Sequence, residues 1–245
     1  MEIRICENSE TLGKSAAKYV AEVLKDAIDK NGSARIVLST GASQFDTLKA
    51  LVKEEGIRWE CVEMFHLDEY VGLPETHGAS FRKYLKERFV EKVGTLKAVH
   101  FVDGTPECIG KLTEEIKKAP IDIGLIGIGE NAHIAFNDPP ADFDTKESYI
   151  VVNLNERCKM QQMGEGWFET IDDVPKQAIS MTCHQIMQCK KIVSCVPYKV
   201  KAEAIENTLK AKDVTNEIPA TLLKTHPDMI LYIDNDSASG VFLND

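Results

Sequence analysis

Stretches of apolar residues spaced as in helices alternate along this chain with short runs of consecutive apolar residues. From Leu12 to Ile28 the apolar positions recur about every 3.6 residues, and Asn31-Gly32 ends the pattern. Ile36-Val37-Leu38 follows as a continuous apolar run, which is typical of a strand buried on both faces of a parallel sheet. This order predicts βαβ units, and hence an α/β fold with a mostly parallel, doubly wound sheet and helices on both faces.

The same alternation continues to the end of the chain. The spacing predicts further strands at residues 62–67, 99–102, 121–128, 149–154, 178–181, 192–196 and 229–233. It predicts further helices around residues 45–52, 81–89, 109–116, 199–209 and 219–224. No repeat, low-complexity segment or linker separates these elements, so we expect a single domain over residues 1–245.

The composition excludes several classes of protein. The 29 basic and 39 acidic residues give a formal charge of −10, whereas a general nucleic-acid binder needs a basic face. The sequence has no stretch of about 18 apolar residues and no apolar signal segment, so we expect no membrane partner. The seven cysteines lack metal-finger spacing and are typical of free thiols. These features predict a cytoplasmic protein that binds any anionic ligand through local donors.

Three predicted strand ends carry small or reactive residues, and in open α/β sheets ligands bind beyond the carboxyl ends of the strands. The first is Thr40-Gly41-Ala42-Ser43, between a strand and a helix. Hydroxyls and backbone N–H groups at a helix N-terminus can bind an anion, although a plain tight turn explains the same residues. Ser43 and Asp46 also fit a capping box, which predicts where the helix begins.

The second strand end is acidic. Asp68 and Glu69 follow an apolar strand directly, so either carboxylate is a candidate general base in a cleft at the edge of the sheet. A surface turn with solvated acids is the alternative interpretation. His66 and Asp68 lie on one face of the strand, so a metal site is a further alternative. The ligand set is sparse, and we predict no metal.

The third strand end combines two glycines with a histidine and several polar side chains. His133 lies within a few residues of Asn131 and Asp138 in a short loop. A ring held by an acid is the arrangement of a proton shuttle. A hydrogen-bonded structural histidine is the alternative interpretation.

Together the three segments resemble the glucosamine-6-phosphate deaminases, in the superfamily that also contains the 6-phosphogluconolactonases. The long matches are Leu67-Asp68-Glu69-Tyr70-Val71-Gly72-Leu73 and the stretch from Gly127-Ile128-Gly129 through His133-Ile134-Ala135-Phe136-Asn137. The similarity runs from the first predicted helix to residue 227. Lactonases typically have Arg after the Asp-Glu pair and Thr-Ala-Ser-Leu-Phe after the histidine, so Tyr70 and residues 134–137 favour the deaminases.

The resemblance implies a fold, a reaction and roles for single residues. The fold is a modified Rossmann-like parallel sheet, and the reaction converts glucosamine 6-phosphate and water into fructose 6-phosphate and ammonia, without metal or organic cofactor. Asp68 corresponds to the base that moves a proton between C2 and C1 through an enolamine, and His133 to the histidine that assists ring opening. Lys201 corresponds to the lysine that pairs with the phosphate, with Lys199 as the alternative. The phosphate cradle corresponds to Thr40, Gly41, Ala42 and Ser43.

Two departures from the family's pattern lie beside the histidine. Asn131-Ala132 stands where deaminases usually have Asp-Gly, so the residue next to the imidazole can hydrogen-bond but carries no charge. Asp138 replaces the family's glutamate and is shorter by one methylene. We therefore expect either slower ring opening or a role for Asp138 as the only anionic partner of His133.

A third departure concerns the phosphate. Typical deaminases have an arginine in the region of residues 161–168 that helps to bind it, and this chain has none there. Arg157 and Lys159 are the nearest basic residues that could substitute, and without a substitute we expect weak phosphate binding. Two other functions remain open: a 6-phosphogluconolactonase, in which His133 activates water, and a non-catalytic sugar-phosphate sensor. A homo-oligomer is also compatible with the sequence.

Overall fold

The computed structural model describes residues 1–164 and 166–241, and Glu165 and residues 242–245 lie outside this description. The strands in this part of the chain are β1 (Glu2–Cys6), β2 (Ala34–Leu38), β3 (Val62–His66), β4 (Asp68–Tyr70), β5 (Ala98–His100), β6 (Ile123–Leu125), β7 (Tyr149–Asn153), β8 (Gln177–Met181), β9 (Ile192–Val196) and β10 (Met229–Asp234). The α-helices there are α1 (Ser9–Asn31), α2 (Phe45–Leu51), α3 (Phe81–Leu85), α4 (Glu91–Val93), α5 (Cys108–Lys117), α6 (Glu156–Gly164), α7 (Cys183–Ile186) and α8 (Ala202–Lys210). A π-helical segment, Lys86–Val90, joins α3 to α4.

Seven of these strands form a parallel sheet in the order β1-β10-β9-β6-β2-β3-β5. Every residue of β2 and β9 is buried, because apolar side chains cover both faces of the sheet. Val37 packs in one core with α5, α7 and α8, and its neighbours Ile36 and Leu38 pack in the other with α1, α2 and α3. The predicted parallel, doubly wound α/β sheet is confirmed.

A smaller antiparallel sheet, in the order β4-β8-β7, was not predicted from the sequence. Leu67 connects the two sheets, because its N–H donates to the carbonyl of Leu38 (3.3 Å) and its carbonyl accepts from the N–H of Met181 (2.9 Å). Asp68 and Glu69 are therefore buried strand residues, and the alternative of a solvated surface turn is wrong. The crossing at Leu67 places Asp68 at the carboxyl edge of the main sheet.

Local signals set the bounds of α1 and its contact with α2. The side chain of Asn8 accepts a hydrogen bond from the N–H of Thr11 (3.0 Å) at the start of α1, and Gly32 ends the helix with a φ of 75°. A Cβ at Gly13 would lie 2.6 Å from the carbonyl carbon of Asp46. Glycine therefore lets α2 pack closely on α1, which in turn positions the loop that precedes α2.

β1 and α6 are among the elements of the structure that were not expected. β1 is an edge strand of half-buried and exposed residues, so it lacks the apolar run that predicts a buried strand. α6 buries Cys158 and Gln162 and has no continuous apolar stripe, and helical spacing therefore did not predict it. None of the helices described here is long and apolar enough to span a lipid bilayer.

Candidate active site

The three predicted strand ends meet in one cleft at the carboxyl edge of the main sheet. Its walls come from residues 39–43 after β2, residues 67–68 after β3, and residues 127–130 and His133 after β6, with a further wall from Tyr198, Val200 and Lys201 after β9. The empty space of the cleft, including its open mouth, is about 830 Å³. The segments meet because β9, β6, β2 and β3 are neighbours in the sheet.

The loop after β2 turns at Gly41, whose φ of 97° is one that residues with side chains rarely adopt. The buried side chain of Gln44 donates to the hydroxyl of Ser43 (Nε2–Oγ 3.0 Å) and to the carbonyl of Cys195 (3.1 Å). Because the Ser43 oxygen accepts from Gln44, its own proton remains available to a ligand in the cleft.

The predicted capping box of Ser43 and Asp46 is wrong. The Asp46 carboxylate instead accepts a hydrogen bond from the hydroxyl of Ser9 in α1 (2.7 Å). No side chain caps the 3₁₀ turn Ala42–Gln44 or the helix α2 that continues it. The start of this helical segment therefore faces the cleft without a capping side chain of its own.

Asp68 lies in the wall of the cleft and is 6% exposed. Burial, and secondly the charge of the adjacent Glu69, raise the pKa of the Asp68 carboxyl to about 8. A carboxyl group with a pKa near neutrality can both accept a proton and return it. The position and environment of Asp68 therefore match those of a general base.

Glu69, the other candidate base, has a structural role. Its carboxylate accepts hydrogen bonds from the hydroxyl of Ser80 (2.9 Å) and the N–H of Phe81 (3.2 Å) at the start of α3. It also accepts from the N–H of Arg82 (2.9 Å) and forms an ion pair with the guanidinium of that residue (3.2 Å). Glu69 is fully buried and outside the cleft lining, so it fixes α3, and Asp68 is the carboxylate of the pair that lines the cleft.

The predicted partners of His133 surround its ring. Nδ1 of His133 lies 2.6 Å from the amide oxygen of Asn131 and 3.2 Å from the carboxylate of Asp138. The amide nitrogen of Asn131 donates to the same carboxylate (3.1 Å). Burial alone would raise the pKa of Asp138, but the hydrogen bonds from His133 and Asn131 outweigh it and lower that pKa below its usual value.

This network determines which ring nitrogen faces a ligand. An ionised Asp138 only accepts hydrogen bonds, so the NH₂ group of Asn131 must point toward it. The amide oxygen of Asn131 then accepts from the backbone N–H of His133 (3.2 Å) and from Nδ1–H. Nε2 is therefore the ring nitrogen of His133 that this network does not engage. Within the described residues, Asp138 is the carboxylate paired with His133, as the sequence led us to expect.

The backbone of this loop makes room for the imidazole. A Cβ at Gly129 would overlap the ring of His133, so only glycine fits there. Ala132 has a φ of 64° and Ala135 a φ of 52°, both in the left-handed region that costs about 1–2 kcal/mol for a residue with a side chain. The side chain of Asn137 secures the loop by donating to the carbonyls of Ile134 (2.7 Å) and Met181 (2.9 Å).

Of the two candidate lysines, Lys201 belongs to the cleft. Lys201 is 8% exposed and lines the cleft, as residues 40–43 do. Lys199 is exposed, and its ammonium group donates to the hydroxyl of Ser239. Lys201 is the one lysine or arginine among the described residues of the cleft lining.

The helix α6 supplies glutamines where the family's arginine was expected. Gln161 and Gln162 line the cleft, and the side-chain oxygen of Gln162 accepts a hydrogen bond from the Tyr70 hydroxyl (2.6 Å). Neither Arg157 nor Lys159 is among the described lining residues. The structure therefore does not bring either predicted substitute to the cleft wall.

Within residues 1–164 and 166–241, no group of three or more His, Cys, Asp or Glu side chains is arranged to hold a metal ion. His66, one of the candidate ligands, is fully buried and packs edge-on against the ring of Phe101 (centroids 5.8 Å apart). Burial, and secondly the nearby charge of Arg82, lower the pKa of His66 to about 3. This side chain belongs to the core beneath the cleft.

Comparison with known families places the chain. The model of the glucosamine-6-phosphate isomerases and 6-phosphogluconolactonases matches residues 7–231, a span that contains all the cleft segments described above. The chain belongs to this glucosamine-6-phosphate isomerase/6-phosphogluconolactonase family.

Relatives within the family are named as deaminases. A glucosamine-6-phosphate deaminase of Thermoanaerobacter pseudethanolicus is 36% identical over 98% of this chain and 94% of its own length. One from Staphylococcus epidermidis is 35% identical over 91% of this chain and 94% of its own. Deaminase 1 of Bacillus subtilis is 31% identical over 98% of this chain and 99% of its own.

Solved structures of the family share the fold. A monomeric glucosamine-6-phosphate deaminase superposes with a TM-score of 0.87 at 28% identity, covering 98% of this chain and all of that one. A putative 6-phosphogluconolactonase of Neisseria gonorrhoeae gives 0.74 at 18% identity, covering 95% of this chain and 98% of its own. The second likeness shows the fold alone.

The structure adds cleft residues that sequence reasoning did not single out. Glu130 and Tyr198 line the cleft, as do Gln161 and Gln162. Glu130 lies inside a segment already marked as reactive, so its position in the loop was an available signal. For Tyr198 and the glutamines no local pattern exists, because they reach the cleft through the packing of β9 and α6.

Proposed function

We propose that this family member is a hexosamine-6-phosphate deaminase/isomerase that converts glucosamine 6-phosphate and water into fructose 6-phosphate and ammonia. The observation that carries the proposal is the convergence of two proton-transfer groups, Asp68 and His133, on a cleft that Lys201 and the uncapped helix start at residues 40–43 also line. The deaminase names of its relatives, at 31–36% identity over 91–98% of the chain, support it.

Ring opening is the first step in the proposed reaction. Nε2 of His133 accepts the proton of the C1 hydroxyl and passes it to the ring oxygen as the bond between C1 and that oxygen breaks, and the sugar becomes an open-chain aldehyde. Asn131 and Asp138 hold the imidazole at Nδ1, so Nε2 is presented to the sugar. One carboxylate, rather than two, then stabilises the positive charge whenever the ring carries both protons.

Asp68 carries out the second step. Its carboxylate removes the proton from C2, which gives an enolamine, and returns it to C1, which leaves an imine at C2. Water adds to this imine and ammonia departs, so the products are the ketose phosphate and ammonia. A pKa of about 8 for Asp68 suits both halves of this transfer, because the group is neither too weak a base nor too weak an acid near neutral pH.

The phosphate is bound at the other end of the cleft in this proposal. The hydroxyl of Ser43, the backbone at Gly41 and Ala42, and the hydroxyl of Thr40 surround its oxygens, and Lys201 supplies the cation. With glutamines in α6 in place of an arginine, affinity for the phosphate depends on these groups, and we expect it to be modest.

The proposal extends to the setting of the protein. One domain over residues 1–245 performs both steps, the substrate is a small sugar phosphate, and no nucleic acid, membrane or cofactor takes part. The seven cysteines are free thiols in the structure, which supports a cytoplasmic location. Sedimentation velocity decides between a monomer and a homo-oligomer.

The test is ammonia release from glucosamine 6-phosphate and galactosamine 6-phosphate by the wild type, Asp68→Asn and Asn131→Asp. We expect release by the wild type and a loss of about 10²–10⁴-fold in kcat for Asp68→Asn, because general base catalysis contributes that much. Asp29→Asn, at an exposed surface carboxylate, is the matched control and should keep full activity.

Two outcomes would replace the proposal. Hydrolysis of 6-phosphogluconolactone above the spontaneous rate, without ammonia release from either hexosamine phosphate, would indicate the lactonase activity. Tight binding of a hexose phosphate without turnover of any substrate would indicate a sensor.

A further inference from the structure

Tyr198 adopts a backbone conformation that residues with side chains rarely occupy. It lies between β9 and the 3₁₀ turn Lys199–Lys201, with a φ of 80° and a ψ of 145°. Such a conformation persists only where the surroundings impose it, and it is concentrated at functional sites. Here the Tyr198 N–H donates to both carboxylate oxygens of the buried Asp234 (3.1 Å each).

Asp234 is itself held in place. Its carboxylate accepts a hydrogen bond from the N–H of Ser237 (2.8 Å), and its own N–H donates to the hydroxyl of that serine (3.1 Å). The carbonyl of Tyr198 accepts from the N–H of Lys201 (3.0 Å), which fixes the turn that carries the lysine into the cleft. Glycine would adopt this backbone conformation without strain, so the strain at this position comes from the side chain of Tyr198.

The side chain of Tyr198 stands at the phosphate end of the cleft. Tyr198 lines the cleft together with Lys201 and residues 40–43. The hydroxyl of Tyr84 donates to the carbonyl of Gly41 (2.9 Å) in the loop after β2. Burial raises the pKa of Tyr84, and the proximity of the Tyr198 hydroxyl raises it further. Tyr198 and the predicted phosphate cradle thus line the same cleft.

The phenol is available to a ligand. Tyr198 is half-buried, and its hydroxyl forms no hydrogen bond with another residue in the described part of the chain. A phosphate monoester at this end of the cleft carries close to two negative charges at neutral pH. Lys201 is the single cation that the described lining presents to it.

We propose that the Tyr198 phenol donates a hydrogen bond to the phosphate of the substrate, and that it is a phosphate-binding residue in addition to Lys201 and residues 40–43. This role rests on the proposed function for the identity of the substrate but not for the presence of a phosphate. In this arrangement the strained backbone of Tyr198 directs the ring into the cleft beside the lysine.

The test is Tyr198→Phe, which keeps the ring and the backbone and removes only the hydroxyl. A hydrogen bond to a charged group typically corresponds to a factor of about 10 or more in affinity. We therefore expect Kd for inorganic phosphate and for glucitol 6-phosphate, measured by calorimetry, to rise about 10-fold. KM for glucosamine 6-phosphate should rise by a similar factor with kcat within about twofold. Tyr19→Phe, on α1, is the matched control and should change none of these values.

Two further measurements separate this role from a structural one. Tyr198→Gly removes both the strain and the phenol, so it should be at least as stable as Tyr198→Phe yet bind phosphate equally weakly. Unphosphorylated glucosamine should have the same affinity for the wild type and Tyr198→Phe. A structural role would instead lower stability in both variants and leave phosphate affinity per folded molecule unchanged.

The outcomes distinguish this inference from the proposed function. Equal affinity of the wild type and Tyr198→Phe for phosphate, alongside ammonia release by the wild type, would overturn the role of Tyr198 alone. Weaker phosphate binding by Tyr198→Phe, with no ammonia release by the wild type, would overturn the reaction and leave the phosphate site. A wild type that binds no inorganic phosphate or glucitol 6-phosphate would refute both the cradle and this role.

Discussion

Replacing Asp68 by asparagine should stabilise the protein while abolishing its activity. The folded protein holds the pKa of this carboxyl at about 8, against a usual value of 3.8. Above pH 4 the unfolded chain releases the proton and the folded protein keeps it, so the free energy of unfolding falls by about 1.4 kcal/mol per pH unit. Three pH units lie between pH 4 and 7, so ionisable Asp68 costs about 4 kcal/mol of stability at pH 7.

Asparagine has nearly the shape of a protonated aspartic acid and does not titrate. The two proteins should therefore be equally stable at pH 4, and Asp68→Asn should be more stable by about 4 kcal/mol at pH 7. Urea unfolding at pH 4, 5, 6, 7 and 8 measures this difference, which corresponds to a shift of more than about 1 M in the midpoint. Asp29→Asn, at the surface, should change stability by less than about 0.5 kcal/mol.

Parallel stability curves for the wild type and Asp68→Asn would refute this reasoning. They would show that the cleft solvates the charged form of Asp68 and that its pKa is close to that of a free carboxyl group. The acid limb of the pH–rate profile is an independent check, because activity of the wild type should increase as Asp68 ionises toward pH 8.

Three further substitutions test the surroundings of the cleft. Glu69→Gln leaves the guanidinium of Arg82 without its buried partner, so the free energy of unfolding measured in urea should fall by about 3 kcal/mol. The acid limb of the pH–rate profile should also move to lower pH, because the Glu69 charge no longer raises the pKa of Asp68. Ala132→Gly removes the strain of a φ of 64° and should raise the free energy of unfolding by about 1 kcal/mol. The control Ala21→Gly, inside α1, should lower it by about 1 kcal/mol. A lower free energy of unfolding in both variants would contradict the strain at Ala132. Gly129→Ala displaces the His133 ring and should lower kcat about 100-fold, while circular dichroism should show an unchanged fold. The control Gly110→Ala, where a Cβ meets nothing within 4 Å, should have full activity.

Much of the fold could be predicted from apolar spacing. The fully buried strands β2 and β9 are continuous apolar runs, and α1 is a long stripe between a capping asparagine and a glycine. β1 and α6 could not be predicted in this way, because neither buries a regular apolar face. The antiparallel sheet was missed because pairing of β4 with β8 depends on residues more than 100 positions apart.

The site was only partly predictable. The residues Thr40 to Ser43, Asp68, Asn131, His133, Asp138 and Lys201 were identified from motifs, and the structure brings them together around one cleft. Their roles in the reaction stay predictions until the variants above are measured. The capping box at Ser43 failed because Asp46 has a competing partner in Ser9, which lies in α1 and is remote in sequence.

The sequence by itself determined the α/β class, the parallel main sheet and the three strand ends at which polar residues collect. These properties follow from spacing over a few residues, where backbone geometry and solvent exposure act locally. Only the tertiary structure decided that Asp68 faces the cleft and Glu69 anchors α3, that Asn131 bridges His133 to Asp138, and that Tyr198 stands beside Lys201. The reason is that the pKa of a carboxyl group, and the partners of a polar side chain, depend on which distant segments exclude water from around it.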